Sequence, residues 1–365
     1  MQQFFAATVA RARIAVCIVA IAASYAGSLA SAQAPEQSPA SARAAAASDS
    51  TFREVTDETG RTIRIPRSIH RIVSLAPSIT ETLYALGLQD ELVGDTDYCD
   101  YPVDAQHKPK VGGTINPSLE AIAALRPDLV LVAKSANRLD TVRALADLNI
   151  PSFGIDPHTI TDIISSTRRL ADLLGVSESG AAINKDLQQR LAETQHRVSG
   201  FPQRRVLFVV WPQPLISVGR QTFIADALLY AGAVSIIDSP QDWPRISLEA
   251  VVHEQPEFLI FAEAHNTGAP TDFDSFTTLP GWRALDAVKS RRFALVSDAI
   301  NRPSPRLVSV IEDLARQLHP EAFDNKPRAG RFNLQAPAFD FSSVSESHSA
   351  QPSSAEFTPE CPCSL

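Results

Sequence analysis

The stretch NPSLEAIAALRPDLVLVA, residues 116–133, decides the fold because the chain repeats it as PRISLEAVVHEQPEFLIFA at residues 244–262. Aligning Ser118 with Ser247 superimposes the letters SLEA of both copies, and this alignment fixes one offset of 129 residues, 247 minus 118. A solenoid repeat spans roughly 20–50 residues. This much longer period therefore indicates two related lobes that each carry the same unit.

Each copy has the pattern of a short amphipathic helix followed by a buried strand. In the first copy, Asn116 is a good N-cap, and Pro117 suits the first helical position, which needs no amide hydrogen. In the second copy, Ser247 is the predicted N-cap. Each helix is predicted to end before a proline, and the apolar runs LVLVA and FLIFA that follow are typical of strands buried on both faces. The sequence therefore predicts an α/β fold with parallel strands.

The repeat places one glutamate, Glu120 or Glu249, in the first turn of each predicted helix. A carboxylate there complements the positive helix end and stabilises the helix by roughly 0.3–1 kcal/mol, which explains either residue alone. Their equivalent positions in two lobes suggest a second role, in which both dock onto matching basic sites of a symmetric partner.

Composition narrows the class of protein. With 365 residues and 44% hydrophobic content, the chain is long enough for two domains with separate cores. Its formal net charge of −8 argues against a nucleic-acid partner, because such a partner needs a basic face that neutralises phosphates.

The N-terminus has the features of an export signal. Arg11 and Arg13 precede an apolar run at residues 14–30, and Ala30-Ser31-Ala32 matches an A-x-A cleavage site. We predict a signal peptide that is cleaved after Ala32 and a periplasmic location. A membrane anchor is the alternative, although the apolar run is shorter than the roughly 20 residues that a span requires.

Two further segments lack the pattern of a folded core. Residues 33–51 form an Ala/Ser/Pro-rich tether, and residues 324–365 form a Ser/Pro/Ala-rich tail that we predict to be disordered. The tail carries Cys361 and Cys363, which are too close together for an ordinary structural disulfide. Such a pair could bind a metal or join another chain.

The first lobe supplies candidates for a ligand-binding cleft. The segment RIVSLAPSITETLYALG, residues 71–87, has the pattern of strand, loop and helix, with Ser78 and Glu81 spaced as a capping box. Ligands of open α/β sheets bind at the carboxyl ends of the strands. We therefore expect Ser78 and the loop at residues 95–102, which contains Tyr98, to line the cleft.

The second lobe and the connection between the lobes complete the predicted arrangement. Trp211 follows a predicted strand and Trp243 precedes the second helix of the repeat. Both should face the cleft, where aromatic walls suit a large flat ligand. Residues 177–198 have an uninterrupted helical pattern, which predicts a stiff connecting helix.

These segments resemble a known family, the periplasmic substrate-binding proteins whose two lobes are joined by a rigid helix, and most closely its corrinoid-binding members. The resemblance covers about residues 52–320. Its specific marks are RIVSLAPSITE, TDYCDYP, VGGTINPSLEAIAALRPDLVLV, WPRISLEAV and SDAINRPSPR.

The resemblance implies a transport role without catalysis and without a resident cofactor. Glu120 and Glu249 would dock onto arginines of the two membrane subunits of an ABC importer. The matching positions that carry tryptophan in the best-known corrinoid binder are Thr114 and Ala133 here.

The resemblance also implies a ligand site. It places Tyr98, Trp243 and residues 298–302, among them Asp298 and Arg302, against a bound cobalamin or related corrinoid such as cobinamide. Cobalamin carries its own axial ligands and offers amides for hydrogen bonds, so it needs aromatic walls and polar backbone more than a metal ligand.

Haem or a ferric siderophore is the alternative cargo. Haem carriers supply His, Tyr or Cys to iron, and His107, His158 and His265 lie in predicted loops. Anionic siderophores favour arginines, for which Arg302 and Arg306 are the candidates. No cluster of His, Asp and Glu has the spacing of a bare zinc or manganese site, so we predict no metal ligands.

An exported α/β hydrolase is the alternative from another class, and a sensory cleft protein without a transporter is a third. The sequence has no GxSxG nucleophile elbow and no glycine-rich phosphate loop after a strand, and Ser74 and Ser78 lack a recognisable base partner. These observations argue against catalysis.

We therefore predict two Rossmann-like lobes joined by a backbone helix, in a monomer that undergoes little hinge motion on binding. The predicted division is a signal peptide (1–32), a tether (33–51), an N-terminal lobe (52–156), a helical segment (157–200), a C-terminal lobe (201–323) and a tail (324–365).

Overall fold

The computed structural model describes residues 51–263 and 273–323. The predicted signal peptide, most of the tether, the tail with Cys361 and Cys363, and His265 lie outside the described residues. Within the described ranges, no helix combines the length and the apolar character that a membrane crossing needs.

An antiparallel hairpin opens the fold, formed by β1 (Phe52–Thr56) and β2 (Thr62–Pro66). Asp57 fixes its turn, because the carboxylate pairs with Arg61 at 2.6 Å and accepts a hydrogen bond from the Gly154 amide at 3.0 Å. That second bond attaches the hairpin to the first sheet.

The first lobe is built on a four-stranded parallel sheet in the order β4-β3-β5-β6. Its strands are β3 (Ile72–Ser74), β4 (Leu92–Gly94), β5 (Leu129–Ala133) and β6 (Ser152–Ile155).

The second lobe has a parallel sheet of the same topology, in the order β10-β7-β11-β12. A small hairpin, β8 with β9, follows its first strand. The strands are β7 (Arg204–Val209), β8 (Trp211–Pro212), β9 (Leu215–Ile216), β10 (Ala233–Ser235), β11 (Phe258–Ala262) and β12 (Phe293–Val296). In each four-stranded sheet, the strand that comes first in the chain (β3 or β7) lies between the second (β4 or β10) and the third (β5 or β11). The two copies of the repeat therefore end in equivalent strands, β5 and β11. This confirms the predicted two-lobed α/β fold.

The helices cover the faces of the two sheets and connect the lobes. In chain order they are α1 (Pro77–Ala85), α2 (Leu119–Ala124), α3 (Leu139–Asp147), α4 (Ile160–Leu173), α5 (Ser177–Val198), α6 (Phe223–Tyr230), α7 (Leu248–Glu254), α8 (Asp274–Thr278), α9 (Asp286–Lys289), α10 (Leu307–Leu318) and α11 (Pro320–Phe323). Short 3-10 helices lie at Val103–His107, Trp282–Ala284 and Asp298–Asn301.

The two strands of the repeat are buried on both faces, as the apolar runs predicted. In β5, Leu129 and Leu131 pack into one hydrophobic cluster, whereas Val130 and Val132 pack into another. In β11, Ile260 and its neighbour Leu259 likewise belong to two different clusters. Each sheet is therefore covered on both sides.

The first helix of the repeat begins at Leu119, and its N-cap is Ser118, so the prediction of Asn116 as the cap was wrong. Pro117 forms an antiparallel bridge with Gly112, and the Ser118 amide donates to the Val111 carbonyl at 2.8 Å. These extended contacts delay the start of the helix. Ser247 is the cap of the second copy as predicted.

The predicted connecting helix is α5, whose bounds are those the sequence indicated. Its 22 residues span about 33 Å at 1.5 Å per residue. It packs tightly on α4, because a Cβ added to Gly180 would lie 2.3 Å from the Ala171 Cβ. Arg190 attaches α5 to the second lobe through a two-pronged ion pair with Glu312, at 2.8 and 2.9 Å.

A second helix also spans the lobes, which the sequence did not indicate. In α4, Ile160 and Ile163 belong to the core of the second lobe, whereas Leu170 and Leu173 belong to the core of the first. The connection is therefore a pair of packed helices. The exact lobe boundaries at residues 156 and 201 stay predictions.

Candidate ligand-binding cleft

The carboxyl edges of the two sheets face each other, since side chains that follow their strands are in contact. Glu81 lies on α1, directly after β3, and it contacts Arg302, Ser304 and Arg306, which follow β12. Parallel strands bring their following loops to one edge, which is where ligands of such sheets bind. The candidate cleft is the region between these two edges.

Glu81 contacts the second lobe through its carboxylate, and only 2% of its side chain is exposed. One carboxylate oxygen, Oε1, accepts from Arg302 at 3.0 Å and from Arg306 Nη2 at 2.6 Å. The other, Oε2, accepts from the Ser304 hydroxyl at 2.6 Å and from Arg306 Nε at 3.1 Å. Glu81 thus has four hydrogen-bond donors, all of them in the second lobe.

Arg302 is shared by three carboxylates. Besides Glu81, its guanidinium contacts Asp100 at 2.6 Å and Asp298 at 2.7 Å. Burial by itself lowers the pKa of Arg302, but the hydrogen bond with Asp100 and the charges of Glu81 and Asp298 outweigh burial and raise the pKa above its usual value. Arg302 is therefore a permanent cation held by the protein's own acids.

Arg306 completes this group. Its guanidinium carbon lies 4.0 Å from the centre of the Tyr101 ring, within the range of a cation–π contact. We call Glu81, Asp100, Asp298, Arg302 and Arg306 the ionic cluster. It occupies the cleft edge of both lobes, and it contains Asp298 and Arg302, which the sequence proposed as ligand residues.

The predicted capping box of Ser78 and Glu81 is wrong. Helix α1 begins at Pro77 after Ala76, without a side-chain cap, and Glu81 points to the second lobe. Ser78 is buried, its carbonyl accepts from Thr82 Oγ1 at 2.8 Å, and it lines a small cavity together with Ser135, Ser166 and Pro303.

Tyr98 presents its ring to solvent, with 56% of the residue exposed. The loop beneath it is firmly held, because the next residue, Cys99, is buried and its sulfur is within hydrogen-bond distance of the Thr80 and Thr96 hydroxyls. A Cβ on Gly113 would lie 3.7 Å from the Tyr98 ring, so the neighbouring loop approaches this ring closely.

Asp95 anchors the same loop from inside. It is fully buried and pairs with Lys110 at 2.8 Å, and Lys110 also donates to the carbonyls of Cys99 and Ala105. The second Asp95 oxygen has no hydrogen-bond partner. Burial therefore outweighs the pairing with Lys110 and raises the pKa of Asp95 from 3.8 to about 6.

This shift predicts a pH dependence of stability. Because the folded protein holds the Asp95 proton more tightly than the unfolded chain does, Asp95 favours folding most below pH 4, and that contribution falls as the pH rises from about 4 to about 6. We expect the difference in unfolding free energy between the wild type and Asp95→Asn to change by on the order of 3 kcal/mol across this window. Urea titrations at several pH values measure it, with the exposed Asp140→Asn as the control. A difference that does not vary between pH 4 and pH 7 would contradict the prediction.

The two candidate tryptophans are half-buried in the second lobe. Trp211 lies in the β8–β9 hairpin, where its indole donates to the Gln213 carbonyl at 2.8 Å, and Trp243 packs against the core of this lobe. The third tryptophan, Trp282, is only 5% exposed and belongs to a separate cluster.

Of the histidines proposed for haem iron, His107 and His158 lie in the described residues, and both are exposed. His107 is exposed in a 3-10 helix, and His158 is 58% exposed beside Asp156, at 3.3 Å. In residues 51–263 and 273–323, no group of three or more His, Cys, Asp and Glu side chains could hold a metal ion.

Glu120 and Glu249 have matching surroundings. Both are exposed in the first turn of a helix, and each accepts a hydrogen bond from its own N-cap, Ser118 at 3.1 Å or Ser247. The Ser247 hydroxyl lowers the pKa of Glu249, which keeps that carboxylate charged. The repeat thus reproduces the same exposed carboxylate, with the same support, on both lobes.

Comparison with known proteins assigns this architecture. The family model for periplasmic binding proteins matches residues 72–299, from the first strand of one sheet to the loop after the last strand of the other. The chain belongs to the periplasmic binding protein family.

Three similar proteins illustrate the range of this family. The vitamin B12-binding protein of Pectobacterium carotovorum is 31% identical over 251 residues, which cover 68% of this chain and 88% of that protein. The crystal structure of the vitamin B12-binding protein of Vibrio cholerae has a TM-score of 0.61 and 25% identity, covering 71% of this chain and all of that one. The haem-binding protein BhuT, solved with two haems, has a TM-score of 0.63 and 25% identity, covering 69% of this chain and 98% of that one.

Membership in this family makes the chain a binding protein of a transport system rather than an enzyme. Sequence reasoning on this periplasmic binding protein missed Glu81 as a cleft residue. Its partners follow more than 200 residues later, and the local spacing with Ser78 offered a simpler explanation. The segments PSITE (residues 77–81) and RPSPR (residues 302–306) are recognisable in the sequence, but no sequence pattern indicates that they are in contact.

Proposed function

We propose that this periplasmic binding protein captures a corrinoid, cobalamin or cobinamide, between its lobes and delivers it to an ABC importer. The observation that carries the proposal is the 31% identity with a vitamin B12-binding protein over 88% of that protein's length. Because this match extends across both lobes, it includes the loops after the strands, where ligands of such sheets bind.

The chemistry of the cleft edge supports this cargo. Tyr98 offers an exposed ring, and Trp211 and Trp243 offer half-buried indoles, which suit a large ligand with many apolar atoms. The arginines of the ionic cluster are already paired. A corrinoid with its own axial ligands and neutral amides needs neither a metal ligand nor a free arginine from the protein.

Haem, or a ferric siderophore as a second anionic chelate, is the alternative cargo, since BhuT is as similar in structure as the vitamin B12-binding protein. Thr114 and Ala133 stand where the best-known corrinoid binder has tryptophans, and this difference favours keeping a different ligand as the alternative. The transport role is the same for either cargo.

A tryptophan-fluorescence titration tests the cargo. We expect cyanocobalamin to quench the protein beginning at Gln33 in a saturable way, with a Kd below about 1 μM, while haemin and a ferric siderophore have little effect. Trp211→Phe or Trp243→Phe should remove most of the quenching. Trp282→Phe is the matched control, because this side chain is buried in a different hydrophobic cluster from the one that Trp243 packs against and should leave the quenching intact.

If haemin or the siderophore saturates the protein and cyanocobalamin does not, the corrinoid is the wrong cargo and the saturating ligand takes its place. Quenching that keeps rising with ligand concentration and does not saturate would indicate absorption of light by the free ligand rather than binding in the cleft.

For delivery, we propose that Glu120 and Glu249 dock onto arginines of the two membrane subunits. The support is their equivalence in the repeat, their exposure and the hydrogen bond from an N-cap serine that each receives. A monomer with two equivalent carboxylates fits a partner with two equivalent basic sites.

A further inference from the structure

We propose that Glu81, Asp100 and Asp298 set the charge selectivity of the cleft, because they occupy Arg302 and Arg306 and so exclude anionic chelates. This inference rests on the proposed function, since it concerns which cargo the same cleft accepts. Without these acids, the two arginines would attract an anionic chelate; with them, the cleft disfavours one.

The net charge of the ionic cluster does not attract an anion. Two guanidinium groups face three carboxylates, and the net formal charge is −1. Only 12% of the Arg302 side chain and 21% of the Arg306 side chain are exposed. A ligand that approaches this edge therefore meets paired charges with a small excess of negative charge.

Four of the six guanidinium nitrogens of the two arginines also make contacts within the cluster. Arg302 Nη1 contacts Glu81 and Asp100, and its Nη2 contacts Asp298. Arg306 gives both Nε and Nη2 to Glu81. An incoming carboxylate binds arginine best through two parallel N–H groups on adjacent nitrogens, and each such pair includes at least one nitrogen that already contacts an acid of the cluster.

Displacement of the internal acids is unfavourable for a second reason. Glu81 is almost fully buried, so a ligand that takes its arginines leaves a carboxylate out of water without a cation. The Ser304 hydroxyl would then be the one remaining hydrogen-bond donor to the Glu81 carboxylate among its present partners. A neutral ligand that contacts Tyr98 and the backbone leaves all these pairs intact.

Substitutions that remove one internal charge test this selectivity. Glu81→Gln and Asp298→Asn each keep the shape of the side chain and remove a carboxylate, and Asp186→Asn makes the same change in net charge on the exposed surface of α5, where 64% of the side chain is exposed. The probes are haemin, which carries two carboxylates, and cyanocobalamin. The readout is the ratio of the two dissociation constants, measured by fluorescence or absorbance titration.

We expect the wild type to prefer cyanocobalamin over haemin by about 100-fold or more, and each cleft variant to shift the ratio towards haemin by about 10-fold. The gain should change little as salt is added, because the arginines are largely buried and salt screens buried charges much less than exposed ones. Asp186→Asn should leave the ratio unchanged.

An unchanged ratio in both folded variants would overturn the selectivity inference, as would a wild type that prefers haemin. Circular dichroism and thermal melting establish which variants are folded. If Glu81→Gln is not folded, the test relies on Asp298→Asn. A wild type that binds neither cyanocobalamin nor haemin would refute the proposed cargo alone. In that case the gain or lack of gain in haemin binding still decides the selectivity inference.

Discussion

The double variant Glu120→Ala/Glu249→Ala is expected to bind its cargo with a Kd within about twofold of the wild type, yet to lose nearly all stimulation of the cognate importer's ATPase. Both carboxylates are exposed at equivalent helix starts and do not belong to the ionic cluster. Their loss removes the charges that fix the orientation of the complex and leaves the cleft untouched. The measurement is ATP hydrolysis by the importer in liposomes or nanodiscs as a function of binding-protein concentration.

A matched control is available in α5. Glu178→Ala/Glu193→Ala removes two exposed glutamates, one of them also in a first helical turn, and should leave the stimulation at the wild-type level. Each single docking variant should retain part of the stimulation. Normal stimulation by the double docking variant would show that docking uses another surface.

The substitution Glu81→Ala is expected to have the largest effect on stability. Removal of one partner from a buried ion pair costs about 3–5 kcal/mol, because the remaining charge loses its compensation. Arg302 keeps Asp100 and Asp298, so we expect a loss near the lower end, about 3 kcal/mol of unfolding free energy. Urea denaturation followed by circular dichroism measures it.

A double-mutant cycle of Glu81→Ala with Arg306→Leu isolates the contact between the lobes. We expect a coupling energy of at least about 1 kcal/mol, since Glu81 is buried, Arg306 is mostly buried, and two hydrogen bonds join them. The exposed pair of Arg168 and Asp172, one helical turn apart, is the control and should couple much more weakly. Equal coupling in the two cycles would mean that the ionic cluster does not hold the lobes together.

The two-lobed fold was predictable from the sequence because its signals are local. The helix caps, the prolines that end the helices and the apolar runs of β5 and β11 each act over a few residues. Their recurrence after 129 residues then indicated two lobes of one topology, and the sheets have the same strand order. The continuous pattern of α5 was sufficient to set its bounds. The exposed glutamates of the repeat were found in the same way.

The cleft itself was decided by the tertiary structure. Glu81 had a plausible local partner in Ser78, yet packing brings it to Arg302 and Arg306, more than 220 residues away. A buried carboxylate needs cations, and only the approach of the second lobe supplies them, so this burial overrides the weak preference for a capping box. The sequence by itself determined which elements form and that they occur twice. How their loops meet, and therefore which charges of the cleft are already neutralised, depends on contacts between lobes that no local pattern encodes.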